Sequence, residues 1–233
     1  MGVYGQLGEG RLQYRAYVVN GLDATGFSSS GLRGGRQKGS RALANDLAFV
    51  ARLDVEPWPG WLVGGSYYHG GSGQDQDFEQ ASTATVRLPD ATTRIFEAHS
   101  EYRRGPLFAR ALFSQAHVDE ARELSLALET PTDAAVAEKM LGGYVEVSYD
   151  LMQWLRPGSE LELSPFFRWE YLDTQWEIPS GFTRDRRQPR RLLVPGIQFK
   201  PIPNVVLKMN YRDIDNWDGT SADEFALGFG LVF

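Results

Sequence analysis

Residues Phe225–Phe233 read FALGFGLVF, and their pattern decides the fold. Phe225, Leu227, Phe229, Leu231 and Phe233 share one face, and Ala226, Gly228, Gly230 and Val232 share the other. Side chains alternate across a β-strand, so a period of two with one greasy side marks a strand. Upstream, Val205, Leu207, Met209 and Tyr211 alternate with Val206, Lys208, Asn210 and Arg212, and Leu193, Pro195, Ile197 and Phe199 with Val194, Gly196, Gln198 and Lys200. The pattern recurs in Leu163–Tyr171, Leu141–Asp150, Ala109–Ser114, Phe96–Arg103, Asp46–Val55 and Arg11–Val18. A strand around Trp61–His69 and a short one around Val3–Gln6 bring the candidates to eleven. Alternation leaves the facing of Trp61–His69 and Leu107–Ala116 open.

The connections alternate as well. Short turns rich in Gly and Pro lie at Leu7–Gly10, Pro57–Gly60, Arg104–Pro106, Arg156–Ser159 and Pro201–Asn204. Long polar connections fall near residues 21–45, 71–91, 119–137, 174–189 and 214–222. In Asp119–Thr130, the spacing of Ala121, Leu124 and Leu128 predicts a short helix ending before Pro131. Hairpins with short turns at one end and long loops at the other are the pattern of an outer-membrane barrel.

A soluble sandwich also alternates, with strands of about 5–6 residues. Here the alternating stretches run longer, enough for the tilted ~9–11 residues that cross a bilayer. Trp58, Trp61 and Trp154 flank short turns, while Trp169, Tyr171, Trp176 and Trp217 lie toward long loops. Two aromatic girdles at the membrane interfaces predict this placement. The expected architecture is all-β: an antiparallel up-and-down transmembrane barrel, with about 10–11 strands of a larger one present.

Composition narrows the classes. The 233 residues include no Cys, which removes disulfide frameworks, Cys-based zinc sites and thiol nucleophiles. The net charge of −6 argues against nucleic acid. No apolar run reaches the ~20 residues of a membrane helix, but a barrel averages to a polar hydropathy. Met1–Gly10 has no basic start and no apolar core of a secretory signal. If short turns face the periplasm, Val3–Gln6 points inward and the chain begins on the outer side. Even strand number then predicts an odd number of strands upstream, with a signal peptide before them. On this reading residues 1–233 are one barrel domain, truncated at its N-terminus.

The segment GIQFKPIPNVVLKMNYRD, then a loop, then DEFALGFGLVF, resembles the terminal hairpins of Gram-negative porins of the phosphate-selective porin-like superfamily. LQYRAYVVNGLDA, GYVEVSYDLM and SPFFRWEYLDT are similar to strands of that group. The resemblance implies a passive channel of about sixteen strands, often trimeric, in the outer membrane. It would be surrounded by lipid and lipopolysaccharide and inserted by the barrel assembly machinery. The aromatic end of the last strand, with Phe229, Leu231 and Phe233, looks like the assembly signal of such proteins. No cofactor, metal or catalysis is implied, and no phosphate-binding residues carry over.

A porin discriminates by lumen charge and width. Arg15, Arg52, Arg110 and Lys208 lie on the polar face near short turns, with Glu101, Asp150 and Glu162 at similar depth. Arg168 and Arg212 share that face. Opposed basic and acidic patches would set a transverse field; the alternative is neutralising pairs. Arg33, Arg36, Lys38 and Arg41 make one loop basic, and Arg184, Arg186, Arg187, Arg190 and Arg191 another. These read as an anion-attracting vestibule, or as ordinary solvated charge and contact with outer-leaflet phosphates.

His69, His99 and His117 are too scattered to suggest a metal site and read as lone polar residues. GGSG at Gly70–Gly73 lacks the Lys and helix of a phosphate loop, and DQDFE at Asp75–Glu79 lacks calcium-loop spacing. Other candidate functions are a hydrophobic-substrate transporter, a soluble binding sandwich and a barrel enzyme. The enzyme would need a rim pair such as His99 with Ser114.

Overall fold

The computed structural model describes residues 1–231. The chain runs β1 (Gly2–Leu7), β2 (Leu12–Asn20), β3 (Leu47–Trp58), β4 (Trp61–Gly70), β5 (Asp77–Glu79), β6 (Thr85–Arg87), β7 (Thr93–Arg104) and β8 (Leu107–Val118). It continues through α1 (Ala121–Ala127), β9 (Lys139–Tyr149), α2 (Met152–Leu155), β10 (Glu162–Glu177), β11 (Arg190–Ile202), β12 (Val205–Asn216) and β13 (Glu224–Leu231). Eleven strands form one antiparallel sheet in chain order, and β5 and β6 pair separately as a hairpin within a loop. The sheet is an up-and-down meander, not closed among the described residues. Phe233 lies outside them, and so does its part of the assembly-signal reading.

One face of the sheet is apolar and uncovered. Leu53, Phe96, Phe113, Val145, Val147, Phe167, Leu207, Met209, Leu227 and Phe229 all point to it and are exposed. Among the described residues no second layer buries them, which removes the sandwich. A soluble protein does not leave so large an apolar surface in water; a barrel turns it to lipid. Registry resolves the two open facings. Phe113 pairs with Ala98 and Gly143, and Val63 with Val55 and Ser100, so Trp61, Val63 and Tyr67 face outward, as do Ala109, Ala111 and Phe113.

The turns are as tight as their residues demand. At Gly60, φ is +82°, and a Cβ there would sit 2.2 Å from the Arg103 carbonyl oxygen, so only glycine fits. Trp58 and Trp61 stack across this turn with ring centroids 5.0 Å apart. The fourth short connection departs from expectation. It spans 150–161 and folds α2, because the Asp150 carboxylate accepts from the Met152 and Leu163 amides and pins both ends of the segment. The last two long loops are shorter than expected, since β10 and β12 run on to Glu177 and Asn216.

The buried core lies in the loops rather than between sheets. Ala24, Phe27, Leu88, Ala91, Val118, Ala121, Leu124, Ala127, Val136 and Met140 form it. The connections 21–46, 71–92 and 119–138 therefore pack on one another at the long-loop end. The expected helix is α1, with Ala121 and Leu124 buried in this cluster and Leu128 packed against it.

Candidate functional site

The polar face of the sheet is an ionic wall with a loop laid over it. Strand alternation puts Arg52, Asp54, Glu97, His99, Arg110, Tyr144, Glu146, Arg168 and Glu170 on this side. The registry then sets which of them meet: Glu101 with Arg110, Arg110 with Glu146, and Glu146 with Arg168.

Local pairs dominate. Arg52 Nε donates to Asp54 at 2.8 Å. His99 bridges two carboxylates, with Nε2 2.9 Å from Asp54 and Nδ1 2.7 Å from Glu97. Ser66 also donates to Glu97. Arg110 reaches Glu146 at 2.9 Å, Arg168 reaches Glu170 at 2.7 Å, and Lys200 reaches Glu162 at 2.6 Å. Cations also stack on inward-facing rings. Arg168 lies 3.9 Å from the Tyr144 centroid, Arg103 4.5 Å from Phe108, and Lys208 Nζ 4.2 Å from Phe166.

The expected opposition of a basic patch and an acidic patch is not what these residues build. Glu101 is the cross-strand neighbour of Arg110, and Glu162 is held by Lys200, so the two signs interleave on one wall. Asp150 lines the cavity at the short-turn end, but its carboxylate caps backbone amides. Arg15 sits opposite Arg52 in register and is exposed. Among the described residues, Arg15 and Lys208 make no ion pair, whereas Arg212 holds Glu224 at 2.9 Å.

His99 is not the lone polar residue that its sequence context suggests. Glu97 and His99 share a face by period two, a visible signal; Asp54 comes from β3 through a registry that the sequence does not show. His99 and Ser114 are not paired. The Ser114 hydroxyl donates to the Phe96 carbonyl, and His99 faces Leu112 in register. His117 likewise has a partner, with Nε2 2.8 Å from Asp119.

The 21–46 loop crosses the polar side of the sheet. Ser29 O accepts from the Thr174 hydroxyl of β10 at 2.6 Å, although β10 is five neighbours away from β3 in the sheet. Gly31 lies against Thr174 and Met140, where a Cβ would meet Thr174 at 3.4 Å. Together with Ile95, Leu112, Tyr144 and Glu170 of the wall, the loop's Leu32 and Arg33 line a space of about 450 Å³. Sequence reading found the basic residues of this loop but not its path.

A second loop is tied down beside it. Asp185 N donates to Gln175 at 2.6 Å, and Gln175 Nε2 donates to Ala135 O. The Arg187 guanidinium grips the Asp185 carboxylate through both oxygens and holds its pKa down to about 2, with help from the Arg187 amide and Gln188.

No family model matches the chain. An uncharacterized protein of Aquifex aeolicus is 27% identical over 241 residues, covering 100% of this chain and 52% of its own length. The chain thus spans about half the length of that curated relative. Two solved structures share the fold. A porin refined at 1.8 Å resolution matches with a TM-score of 0.52 and 13% identity, over 96% of this chain and 58% of the porin. The Salmonella typhi OmpF complex with daunomycin matches with a TM-score of 0.56 and 12% identity, over 95% and 57%. The up-and-down antiparallel sheet expected from the strand pattern is the one observed, and both porin structures share its fold.

Proposed function

We propose that this chain forms the wall of an outer-membrane porin of a Gram-negative bacterium, a passive channel for small hydrophilic solutes. One observation carries the reading: a single sheet exposes a continuous apolar face on one side and a charged face on the other, with a loop folded over the charged face. Lipid on the first side and water on the second satisfy both at once. A hydrophobic-substrate transporter would need an apolar lumen, which the ion pairs of this wall do not offer.

The pore-lining role belongs to Arg15, Arg52, Glu101, Arg110, Asp150, Glu162, Arg168, Lys208 and Arg212. A preference for anions is proposed on the loop cations alone. Among the described residues Arg33, Arg36, Lys38 and Arg41 have no acidic partner, whereas on the wall Arg15 and Lys208 share the polar face with Glu101 and Asp150, which make no ion pair either, and Glu146, Glu162 and Glu170 have basic partners. The strand resemblance supports assignment to the phosphate-selective porin-like superfamily, a homotrimer, and insertion by the barrel assembly machinery through the last strand. It gives no ground for phosphate selectivity.

The test is conductance of the full-length protein in a planar lipid bilayer. Discrete steps in KCl are expected, with a reversal potential in a salt gradient on the anion-selective side. Arg52→Gln combined with Lys208→Gln should move that potential toward cation selectivity. An absence of steps overturns the channel; an unmoved potential removes these two residues from selectivity.

A further inference from the structure

The polar face is interrupted by an apolar patch that a wall facing only water and ions does not require. Three register rows build it, just below the long-loop end of the sheet. Ile95, Ala116 and Met140 lie in the first row, Ser114, Gly142 and Leu172 in the second, and Leu112 and Tyr144 in the third. Alternation places all of them on the side of Glu97, Glu146 and Glu170. The patch is local, and the charge that bounds it is already matched. On β7, Glu97 and His99 turn to each other, and His99 also to Asp54. On β10, Glu170 holds Arg168 at 2.7 Å.

The 21–46 loop roofs this patch without filling it. A space of about 450 Å³ remains between the strands and the loop's Gly31, Leu32 and Arg33. Gly142 deepens its floor. Leu172 leans over the position where a side chain would stand, so that a Cβ on Gly142 would meet Leu172 Cδ1 at 3.0 Å. Leu172 is nevertheless 38% exposed. The hydroxyls at the margin are spent, Ser114 donating to the Phe96 carbonyl and Thr174 to that of Ser29. A well-held water makes about 2–4 hydrogen bonds, and this floor offers few. The volume suits a larger occupant, since ~150 Å³ of apolar space accepts a benzene ring and ligand pockets begin at ~300 Å³. One charge on the lining is unmatched. Arg33 is exposed at the loop edge of the hollow, across from Tyr144 and Glu170, and has no acidic partner among the described residues.

We propose that this hollow is a subsite for monocarboxylates with a phenyl-sized apolar body, the carboxylate on the Arg33 guanidinium and the body on Leu112, Met140 and Leu172. It rests on the channel reading above and names a class of solute for it. Charge complementarity selects the anion: Glu170 is neutralised by Arg168, so the free cation at the edge favours a carboxylate over an ammonium. The floor selects the apolar body, because a small anion would leave it bare to water.

The full-length protein in phosphatidylcholine nanodiscs is titrated with phenylacetate, acetate or phenethylamine at about pH 7, where a carboxylate is ionised. Saturation-transfer NMR reads binding above that of empty nanodiscs. Phenylacetate should bind saturably, with acetate and phenethylamine weaker by roughly tenfold or more. Arg33→Gln should weaken phenylacetate roughly tenfold, and so should Leu112→Gln/Leu172→Gln, which leaves the charge unchanged. Denaturant unfolding in vesicles reports that each variant is folded. Arg33 lies in an exposed loop, so its variant reads binding even where the leucine pair does not fold. Phenethylamine binding as tightly as phenylacetate, binding indifferent to these variants, or no saturable phenylacetate signal overturns the subsite. Bilayer recording keeps the two readings apart. Saturable, variant-sensitive binding without current steps refutes the channel and leaves the subsite, whereas steps without such binding refute the subsite and leave the channel.

Discussion

Phe113 and Ser114 are adjacent on β8 and point to opposite sides, which makes them a direct test of what each side touches. Phe113 is 44% exposed on the apolar face, in the middle of the belt, with Ala98 and Gly143 beside it. Ser114 faces Glu97 and Gly142 across the strands and lines the space beneath the 21–46 loop. An arginine at a lipid-facing midplane position costs about 2–4 kcal/mol, against about 0–1 near an interface. Phe113→Arg should therefore lower the folding equilibrium in phospholipid vesicles about 30- to 900-fold. Ser114→Arg has Glu97 as an ion partner and Gly142 leaves it room, so its effect should be near zero. His69→Arg, at the rim, should cost about 0–1 kcal/mol. The assay is reversible denaturant unfolding of the full-length protein in vesicles. The reasoning fails if Phe113→Arg and Ser114→Arg cost the same, or if Phe113→Arg and His69→Arg do. The depth profile matters because a buried protein core would penalise Phe113→Arg without any dependence on distance from a membrane surface.

Gly196→Ala should destabilise by about 1–3 kcal/mol in the same assay, because the new Cβ would meet the Phe166 ring at 2.3 Å and the Met209 carbonyl at 2.7 Å. Thr174→Val removes the donor to Ser29 and should cost the docked 21–46 loop about 1 kcal/mol, seen as added open-channel current noise at unchanged mean selectivity. The low pKa of Asp185, about 2, implies that its loop contacts are complete above the ordinary carboxylate pKa of about 3.9 and are lost as pH falls through the folded value. Pepsin cleavage next to Phe182 should appear only as pH drops from about 4 toward 2, and Asp185→Asn should allow it at pH 4.

The strands were legible because each carries its own signal. Leu207 and Met209 face one way and Lys208 the other whatever their neighbours do, so period two survives without tertiary information. The polar site was legible only as a set of candidates. That Arg52 and Lys208 face inward follows from alternation; that Asp54 meets His99, or Glu101 meets Arg110, depends on hairpin registry. Turn length fixes that registry, and bulges such as the one between Val55 and Trp58 alter it. The loops hid most. Ala24, Phe27 and Leu88 are ordinary residues in polar stretches, and only their mutual burial shows that the loops form a core. The expected turn at Arg156–Ser159 is present, with Ser159 N donating to Arg156 O at 3.0 Å, but the connection is longer than the turn because α2 precedes it, and the Asp150 cap that folds α2 acts through backbone amides, which the sequence does not show.

The loop core explains how a wall of this kind can keep a fixed opening. Along the sheet, apolar side chains exchange one greasy environment for another when the protein folds within lipid, so they hold the strands in the membrane without fixing any loop. On the proposed channel reading the polar side meets water and offers the loops little hydrophobic shelter either. A loop that must stay at one place over the lumen therefore needs its own buried surface. Here that surface is the cluster around Phe27, Leu88 and Leu124, contributed by three separate connections. The 21–46 loop is anchored in it by Ala24, Phe27 and Leu32 and fastened at its far side by Thr174. Between these anchors lie Ser28 to Gly31, and just beyond them Arg33 faces Tyr144 and Glu170 across the space below. On the channel reading, width at that level is set by apolar packing of the loops, whereas charge is set by residues that alternation alone places on the wall. If the chain walls a channel as proposed, the two determinants of permeation reside in different parts of the sequence, and a substitution in the loop core should change conductance while leaving charge selectivity as it was.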